Sequence, residues 1–554
     1  MTNKEKALEI TEQFVANWEI WQLVGFLDKF GVGPQSAEKI YKTLGTNAIE
    51  EIEANPYILV DLVNKVDFTQ IDKMALGIGI EYNNDKRIKS GIKHALRLST
   101  YNGHSTVAYE NLVQFVSTLL GVNGEYVEEN IINLKAKNEI IIEERENGEK
   151  LEEWVYLEEF YKAEKNIANK LINLKEGRNI KKINGFDRKI KTLEKHSDIE
   201  LSEKQLEAVR AINDNNVCVI TGGPGTGKTT IIKILELYKQ EGKKVVLCAP
   251  TGRAAKRMSE TTGEDAKTLH RLLELGKIVS DDSQDINTDL AITPIDADII
   301  IVDEVSMVDL FLMNYLVKGI YQGSKLVLVG DVDQLPSVGP GNVLKDIINS
   351  EAIVTIVLNK IFRQAAKSKI ILNSHKVNEG KSFIGTEYEK DILEDFFYIS
   401  ENSKTKILDN VISLSTGRLK KYGNYDFLKS IQVITPTKKG ELGTKELNKL
   451  LQEKINPYQE EKKEKKYGDI IFRENDRIMQ IKNNYDIYWE KNNDEVEYGS
   501  GVFNGEFGTI IKINESEKQI KIKFDDEKVA WYQYTDLDQI EHAYAITVHK
   551  AQRK

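Results

Sequence analysis

The sequence predicts a multidomain α/β protein organised around a parallel sheet that is buried on both faces. Four short apolar runs are separated by helical stretches, which is typical of such sheets. The first run passes through a glycine-rich turn into a helix, and a chain of 554 residues has room for roughly three or four domains. The four predicted strands are Val217–Ile220, Val245–Ala249, Ile299–Val302 and Leu326–Val329.

The glycine-rich turn after the first predicted strand fits the phosphate-binding pattern G-x-x-x-x-G-K-[ST]. Glycines let the backbone turn several N–H groups toward one phosphate chain, and the helix N-terminus adds partial positive charge. Lys228 is expected to reach the β- and γ-phosphates, and Thr229 to hold Mg²⁺. The alternative is a purely structural glycine turn. The pattern predicts ATP and Mg²⁺ as cofactors, with ATP bound by Gly222, Gly223, Pro224, Gly225, Thr226, Gly227, Lys228, Thr229 and Thr230.

Polar residues follow the other predicted strands at the points where they end. Asp303 and Glu304 follow the third run, where an acid can coordinate Mg²⁺ while its neighbour positions or deprotonates the attacking water. Asp331 and Gln334 follow the fourth run, where a glutamine can touch the γ-phosphate and that water. The segment Pro250–Arg257 offers hydroxyl and basic groups at a helix start, which suits DNA phosphates. Its alternative is an ordinary solvated helix start.

Residues 1–100 are predicted to form a helical DNA-binding region. The segment Leu23–Tyr41 has the pattern helix, Gly-Val-Gly hairpin, helix. In such a helix–hairpin–helix, the backbone amides around Gly31 and Gly33 can bind a DNA phosphate without reading the base sequence. An ordinary turn between two helices is the alternative.

Residues 101–195 are predicted to form a winged-helix-like unit followed by a helical connector. Alternating runs on both sides of Asn147-Gly148 favour a β-hairpin, because these residue types accept the positive φ angles of a tight turn. The Lys- and Glu-rich stretch that follows is predicted to be a solvated helix.

The composition favours a cytoplasmic protein with no membrane association. No run of 18 apolar residues exists, and the opening residues lack the apolar core of a secretory signal. The two cysteines, Cys218 and Cys248, lie in predicted buried strands and are expected to be core residues. The net charge of −10 argues against an overall positive surface for nucleic acid, but it leaves room for a local basic groove.

The order of these motifs resembles that of superfamily 1 DNA helicases, in particular the RecD-like branch that moves 5′→3′ on single-stranded DNA. The N-terminal hairpin resembles that of the RecD type that works without partner subunits. The resemblance covers nearly the whole chain. It is carried by Gln205, the phosphate loop, Ala249–Lys256, Thr268–Arg271, Val302–Met307, Gly330–Ser337, Leu358–Gln364, Thr435–Thr444 and Ala543–Gln552.

The resemblance implies a role for each matching position. Gln205 would contact adenine, and Thr229 and Asp303 would share the Mg²⁺. The implied catalytic residues are Lys228 on the phosphates, Glu304 as base, Gln334 as γ-phosphate sensor and Arg363 as an arginine finger. The implied DNA-facing residues, besides Gly31 and Gly33, are Thr251, Arg253, His270, Thr435, Thr437, Thr547 and His549.

The resemblance also implies two RecA-like motor lobes and an SH3-like barrel. The first lobe would cover 196–354, with a strand-splitting hairpin inserted at 272–293. The second would cover 355–469, be interrupted by the barrel at 470–536, and resume incompletely at 537–554. Measured against the family pattern, the chain lacks a first barrel, an earlier hairpin and a final motif with a second ATP-contacting arginine. We therefore expect ATP binding to be kept and turnover to be weakened.

The function predicted from the sequence is that of an ATP-dependent 5′→3′ helicase on single-stranded DNA. Its partners would be single-stranded DNA and forked or 5′-tailed duplexes, it would act as a monomer, and its role would be DNA repair or recombination. Two alternatives stay open. One is a truncated remnant that binds ATP and DNA without productive turnover. The other is a subunit of a helicase–nuclease similar to the alpha subunit of exodeoxyribonuclease V.

Overall fold

The structure is a computed structural model, and it describes residues 18–29, 32–63, 67–148, 150–177, 182–197, 200–232, 235–275, 290, 292–361, 367–386, 388, 391–423, 425–492 and 496–552. Three predictions fall on other residues. Gly31, Arg363 and most of the hairpin insertion at 272–293, namely 276–289 and 291, lie outside the described residues. In the described part of the chain, no helix is long and apolar enough to cross a membrane.

The N-terminal region is helical, as the sequence predicts. Arg87 is buried here, and its guanidinium donates to both carboxylate oxygens of Asp72 at 2.8 and 2.9 Å. The Tyr57 hydroxyl donates to the same carboxylate at 2.8 Å, so one acid ties three helices together. The helices are α1 (18–28), α2 (Pro34–Leu44), α3 (Ala48–Ala54), α4 (Ile58–Leu62), α5 (Phe68–Gly77) and α6 (Asp85–Thr100).

A winged-helix-like unit follows, with three strands in the antiparallel order β1-β3-β2. The predicted hairpin is present, with Asn147 opposite Lys150 and Gly148 at a φ of 65°. Helix α6 packs against the two helices of this unit, although the sequence places its residues before the boundary at 100. The elements are β1 (Val107–Ala108), α7 (Tyr109–Leu120), α8 (Gly124–Ala136), β2 (Ile140–Asn147) and β3 (Lys150–Leu157), then the connector helices α9 (Glu158–Lys175) and α10 (Phe186–Ser197).

The central sheet has six parallel strands in the order β6-β5-β7-β8-β4-β9. All four predicted strands are confirmed, and β6 and β9 are additional. The elements are α11 (Glu203–Asp214), β4 (Val217–Gly222), α12 (Lys228–Ile232), α13 (Leu235–Gln240), β5 (Val245–Ala249), α14 (Gly252–Thr262), β6 (Ala266–Thr268), α15 (Leu269–Leu272), β7 (Ile299–Val302), α16 (Leu310–Gly319), β8 (Lys325–Gly330), α17 (Val343–Asn349) and β9 (Val354–Leu358).

Alternate residues of the central strands pack on opposite faces of the sheet. Val217 and Val219 of β4 join the core formed with α9 and α16, whereas Cys218 and Ile220 join the core formed with α11 and α13. Both cysteines are buried free thiols. Strand β9 pairs with β4, so Val354–Leu358 lies in the first sheet although the predicted boundary at 354 assigns most of it to the second lobe.

The remaining chain forms a second α/β unit with a β-barrel inserted in it. Strands β10 and β20 of the second unit pair in parallel, and the barrel sheet lies between them in sequence. Of the seven strands of the barrel sheet, six lie within the predicted range 470–536, and Ile540–His542 lies beyond it. The elements are α18 (Lys369–Asn378), α19 (Lys404–Ser413), a π-helical segment (Leu414–Arg418), α20 (Leu419–Gly423), α21 (Phe427–Ser430), β10 (Val433–Thr435), α22 (Thr444–Ile455), β11 (Glu464–Tyr467), β12 (Ile470–Arg473), β13 (Arg477–Gln480), β14 (Asn484–Asn492), β15 (Val496–Val502), β16 (Phe507–Asn514), β17 (Gln519–Phe524), β18 (Val529–Gln533), β19 (Ile540–His542), β20 (Ala545–Thr547) and α23 (Val548–Gln552).

One buried carboxylate anchors the barrel to the second unit. Asp476 is 0 % exposed and lies just before β13. Its oxygens accept hydrogen bonds from five groups on α22, the barrel and β19–β20. The donors are the amides of Gln452 and Asn456 and the backbone N–H of Arg473, each at 2.7 Å, the Tyr544 hydroxyl at 2.8 Å and His542 Nε2 at 3.0 Å.

Candidate active site

The phosphate-loop residues lie between β4 and α12, at the carboxyl edge of the central sheet. A Cβ on Gly222 would lie 2.7 Å from the Leu358 carbonyl oxygen and 2.8 Å from Thr226 Oγ1, so only glycine fits beside β9. Gly225 and Gly227 have φ angles of 75° and 80°, which glycine adopts without strain. The loop therefore has the tight backbone turn that its sequence pattern predicts.

Lys228 extends along the inside of this loop. Its Nζ donates to the carbonyl oxygens of Gly222 at 2.5 Å and Gly223 at 3.2 Å. Thr229 follows it on α12, half-buried. The positive end of α12 and the Lys228 ammonium thus lie together at the edge of the sheet, which is the arrangement that binds phosphate groups.

Gln205 is nearly fully buried, with 1 % of its surface exposed. Its Oε1 accepts the backbone N–H of Ser202 at 2.9 Å, which completes a capping box at the start of α11. Its Nε2 lies 3.4 Å from the Gly227 carbonyl oxygen. The side chain therefore joins α11 to the phosphate loop, and its contact with adenine stays a prediction.

Asp303 and Glu304 follow β7 at the same edge of the sheet. Asp303 Oδ1 accepts the Glu304 N–H at 2.9 Å, and the Asp303 N–H donates to the Cys248 carbonyl of the neighbouring strand at 3.0 Å. Glu304 has φ 54° and ψ 41°, a left-handed conformation that is uncommon outside glycine and clusters at functional sites. Its buried Oε2 has no hydrogen-bond partner among the described residues.

The electrostatics of this acidic pair favour proton acceptance by Glu304. Burial raises the pKa of Asp303. The hydrogen bond from the Glu304 N–H and the charges of Lys228 and Arg257 act in the opposite direction and lower it by less. Burial also raises the pKa of Glu304, and the neighbouring carboxylates of Asp303 and Asp331 raise it further. The same two cations act to lower it, but by less. A carboxylate with a raised pKa and a free oxygen is better suited to accept a proton than an exposed glutamate.

A divalent cation and a triphosphate fit these residues. Glycine at 222, 225 and 227 lets the loop backbone turn tightly between β4 and α12, as a phosphate cradle requires. Asp303 and the unpartnered Glu304 oxygen supply hard oxygen ligands at the same edge. Mg²⁺ is commonly held by one or two carboxylates together with substrate phosphates.

Two residues from beyond β9 reach this edge. Gln552 on α23 donates from Nε2 to Oε1 of Gln334 at 3.0 Å. Gln334 lies after β8, and its N–H donates to the Asp331 carbonyl at 3.2 Å. His375 on α18 has its Nε2 3.4 Å from the Pro224 carbonyl oxygen. No sequence pattern predicts a role for either residue: Gln552 ends the motif Ala543–Gln552, and His375 lies in none of the motifs.

The predicted DNA-facing residues of the second unit lie together at one strand end. Thr435 and Thr547 are opposite each other in the β10–β20 register, and the exposed His549 lies two residues after Thr547. Both threonine hydroxyls already bond to the backbone: Thr435 Oγ1 donates to Leu442 at 2.7 Å, and Thr547 Oγ1 accepts from Lys550 at 3.4 Å. The nearby Thr437 hydroxyl donates to the Lys439 carbonyl at 3.1 Å. Their contact with DNA stays a prediction.

The predicted DNA-facing residues of the central unit lie at two helix starts. Thr251 caps α14 by accepting the Ala254 N–H at 3.3 Å, and Arg253 is exposed in the first turn of that helix. His270 lies on the short helix α15. In the N-terminal region, Gly33 precedes α2 in an extended conformation. Their contact with DNA also stays a prediction.

Three family models match the chain. Residues 16–106 match the HHH domain of the ATP-dependent RecD2 DNA helicase, and residues 447–524 match the SH3 domain of the ATP-dependent RecD-like DNA helicase. Residues 200–393, which contain the candidate site, match an AAA domain.

Whole-chain similarity agrees with these domain matches. The ATP-dependent RecD2 DNA helicase of Deinococcus radiodurans is 29 % identical over 543 residues, 96 % of this chain and 69 % of that protein. An uncharacterized protein of Methanocaldococcus jannaschii is 28 % identical over 91 % of this chain and 50 % of its own length. The RecBCD enzyme subunit RecD of Buchnera aphidicola is 27 % identical, over 72 % of this chain and 73 % of its own length. A solved Pif1 helicase from Candida albicans aligns at a TM-score of 0.35 and 17 % identity over 64 % of this chain and 86 % of its own, too weakly to carry an argument.

Proposed function

Because this chain belongs to the RecD-like branch of superfamily 1, a family of ATP-hydrolysing DNA helicases, we propose that it hydrolyses ATP to move 5′→3′ along single-stranded DNA. The observation that carries the proposal is the shared sheet edge, where Lys228, Asp303 and Glu304 meet and Gln552 of the second unit reaches Gln334. At this edge, the residues proposed for ATP hydrolysis lie beside a residue of the second unit, so hydrolysis can be coupled to movement of one lobe relative to the other.

In the proposed reaction, Lys228 and the loop amides bind the phosphates of ATP. Thr229 and Asp303 would be the protein ligands of Mg²⁺, whose charge stabilises the phosphate oxygens when it is bound. Glu304 accepts a proton from the water that attacks the γ-phosphorus, while the bond to the β–γ bridging oxygen breaks. Gln334 orients the γ-phosphate and that water, and Arg363 acts as the arginine finger.

Gln552 offers a physical link between DNA and the site. Its helix α23 begins directly after Thr547, whose strand pairs with Thr435 at the proposed DNA-facing end. A DNA strand bound across these strand ends shifts α23, and the Gln552 side chain passes that shift to Gln334. Thr251, Arg253, His270, Thr437 and His549 complete the proposed strand path.

The proposal extends to the substrate and the setting. The helix–hairpin–helix amides around Gly33 would hold duplex phosphates ahead of the motor, which favours forked and 5′-tailed duplexes as substrates. We propose that the chain acts as a monomer in the cytoplasm, and that its role lies in DNA repair or recombination.

Strand separation on tailed duplexes tests the direction. With ATP and Mg²⁺, the chain should separate a 5′-tailed duplex and leave 3′-tailed and blunt duplexes intact. Lys228→Ala should abolish the reaction and weaken nucleotide binding. Separation of the 3′-tailed duplex alone would contradict the proposed direction.

Phosphate release with and without single-stranded DNA separates the remaining alternatives. DNA-stimulated release by the 554-residue chain supports a motor and refutes a remnant that only binds. Release that appears only when helicase–nuclease partner subunits are added would favour the subunit alternative.

A further inference from the structure

The imidazole of His375 occupies the outer rim of the phosphate loop. It comes from α18, in the second unit, and its Nε2 lies 3.4 Å from the Pro224 carbonyl oxygen. A Cβ built on Gly223 would lie 2.6 Å from Cε1 and 3.3 Å from Nε2 of this ring. The ring therefore fills the space that any side chain at position 223 would need.

Gly223 is not explained by the phosphate-binding pattern itself. The pattern requires glycine at 222 and 227 and leaves position 223 open. The φ angle of Gly223 is outside the left-handed region, so its backbone conformation accepts any L-residue. The three described atoms nearest to its Cβ position all belong to His375. Within the described structure, the need for glycine at 223 comes from the contact with His375.

This contact is suited to a hydrogen bond from the ring. A carbonyl oxygen only accepts hydrogen bonds, so the Pro224 carbonyl is bonded in the tautomer that carries its proton on His375 Nε2. The two preceding carbonyls, of Gly222 and Gly223, are bound by Lys228 Nζ. The carbonyls of Gly222, Gly223 and Pro224 are thus contacted by two side chains, those of Lys228 and His375, one from each lobe.

We propose that His375 is a positioning residue for ATP. By packing on Gly223 and donating to Pro224, it fixes the rim of the phosphate loop relative to the second lobe. A change in the position of that lobe then alters how well the loop amides face the phosphates. This inference rests on the proposed function, since it gives the second lobe a direct hold on the nucleotide loop.

Hydrogen exchange in the nucleotide-free protein tests the contact without any turnover. His375→Ala should speed exchange of loop amides in a peptide covering 222–227 by several-fold. His375→Gln, which keeps an N–H donor of similar reach, should restore part of the protection. Val377→Ala is the matched control on the same helix, because that side chain is 56 % exposed. Equal exchange in wild type and His375→Ala would overturn the proposal.

A double-mutant cycle on nucleotide affinity tests the consequence. Gly223→Ala forces the ring away and should weaken binding of a fluorescent ADP analogue several-fold, as should His375→Ala. In the His375→Ala background, Gly223→Ala should have no further effect, because the ring that excluded the methyl group is gone. Additive losses would overturn the proposal. A wild-type chain that binds no nucleotide would refute the proposed function, while the exchange comparison would still decide the role of His375.

Discussion

Replacing Asp476 by alanine should loosen the barrel and the second unit without affecting the first lobe. The carboxylate is fully buried and accepts five hydrogen bonds, four of them from side chains. A hydrogen bond to a charged group contributes about 1.5–3 kcal/mol, but such bonds within one network do not add. Without the carboxylate, each buried donor that stays unsatisfied costs about 1–3 kcal/mol, and we take about 3–5 kcal/mol as the expected total loss.

Hydrogen exchange resolved by peptide measures this loss locally. Since 1.4 kcal/mol corresponds to a factor of ten, a loss of about 3–5 kcal/mol should speed exchange of β16 and β17 by about 10²- to 4 × 10³-fold. Peptides covering β4 and β7 in the central sheet should exchange as in wild type. Asp476→Asn keeps one acceptor oxygen and should have an intermediate effect.

Asp525→Ala is the matched control for this experiment. Its carboxylate also lies in the barrel and accepts two hydrogen bonds from Arg477, at 2.5 and 2.6 Å, but its side chain is 54 % exposed. The Arg477 side chain is only 9 % exposed, so losing its two hydrogen bonds should cost about 1–3 kcal/mol, less than the loss of the fully buried Asp476 network. A similarly small change in Asp476→Ala, or an equal change in the central sheet, would refute the anchoring role.

Three further predictions concern the central site and its support. Glu304→Gln should lower DNA-stimulated kcat by about 10²–10⁴-fold while keeping ADP affinity, because a general base is lost and the phosphate cradle is not; a matching loss of affinity would contradict this. Since burial and Asp303 raise the pKa of Glu304, wild-type kcat should fall as pH drops through that raised value, and a pH profile should lose this limb in Glu304→Gln. Gln552→Ala should lower the ratio of DNA-stimulated to basal turnover, whereas unchanged stimulation would remove its coupling role. Lys325→Met should lower the local stability of β8 by about 2–4 kcal/mol, because Lys325 Nζ donates to three carbonyls at the end of α11 at 2.8–3.0 Å. Hydrogen exchange of peptides covering β8 measures this loss, and Lys318→Met, at a partly exposed position, is the control.

Local sequence patterns were enough to predict the phosphate loop and most of the central sheet. The strand Val217–Ile220 and the glycine turn after it depend on neighbours within a few residues, and both are present in the structure. The same holds for the hairpin at Asn147-Gly148, whose turn chemistry is local. The roles assigned to these residues remain predictions.

Strand β9 could not be assigned from its own residues. Val354–Leu358 is a short apolar run like many others, and two of its residues, Val354 and Val357, are more than a third exposed. Its place is decided by pairing with β4, more than 130 residues earlier in the chain. Position in a sheet depends on the partner strand, which a local pattern does not specify.

The contacts of His375 and Gln552 were missed for the same reason. His375 meets Pro224 across 151 residues of sequence, and Gln552 meets Gln334 across 218. Neither pair has a local spacing that marks it. The sequence contains one sign of the His375 contact, the additional glycine at 223. Only the structure shows that the His375 ring is the side chain that requires glycine there.

The barrel enters and leaves the second unit at neighbouring points. Its first strand β13 pairs with its last strand β19, with Ile478 opposite His542, and Asp476 bonds to His542 at the same place. The inserted domain thus starts and ends at one place, so the chain between α22 and β20 has only a short distance to span there. Because β15 and β14 lie at the opposite edge of the barrel sheet from β19, changes in these outer strands leave the junction residues in place.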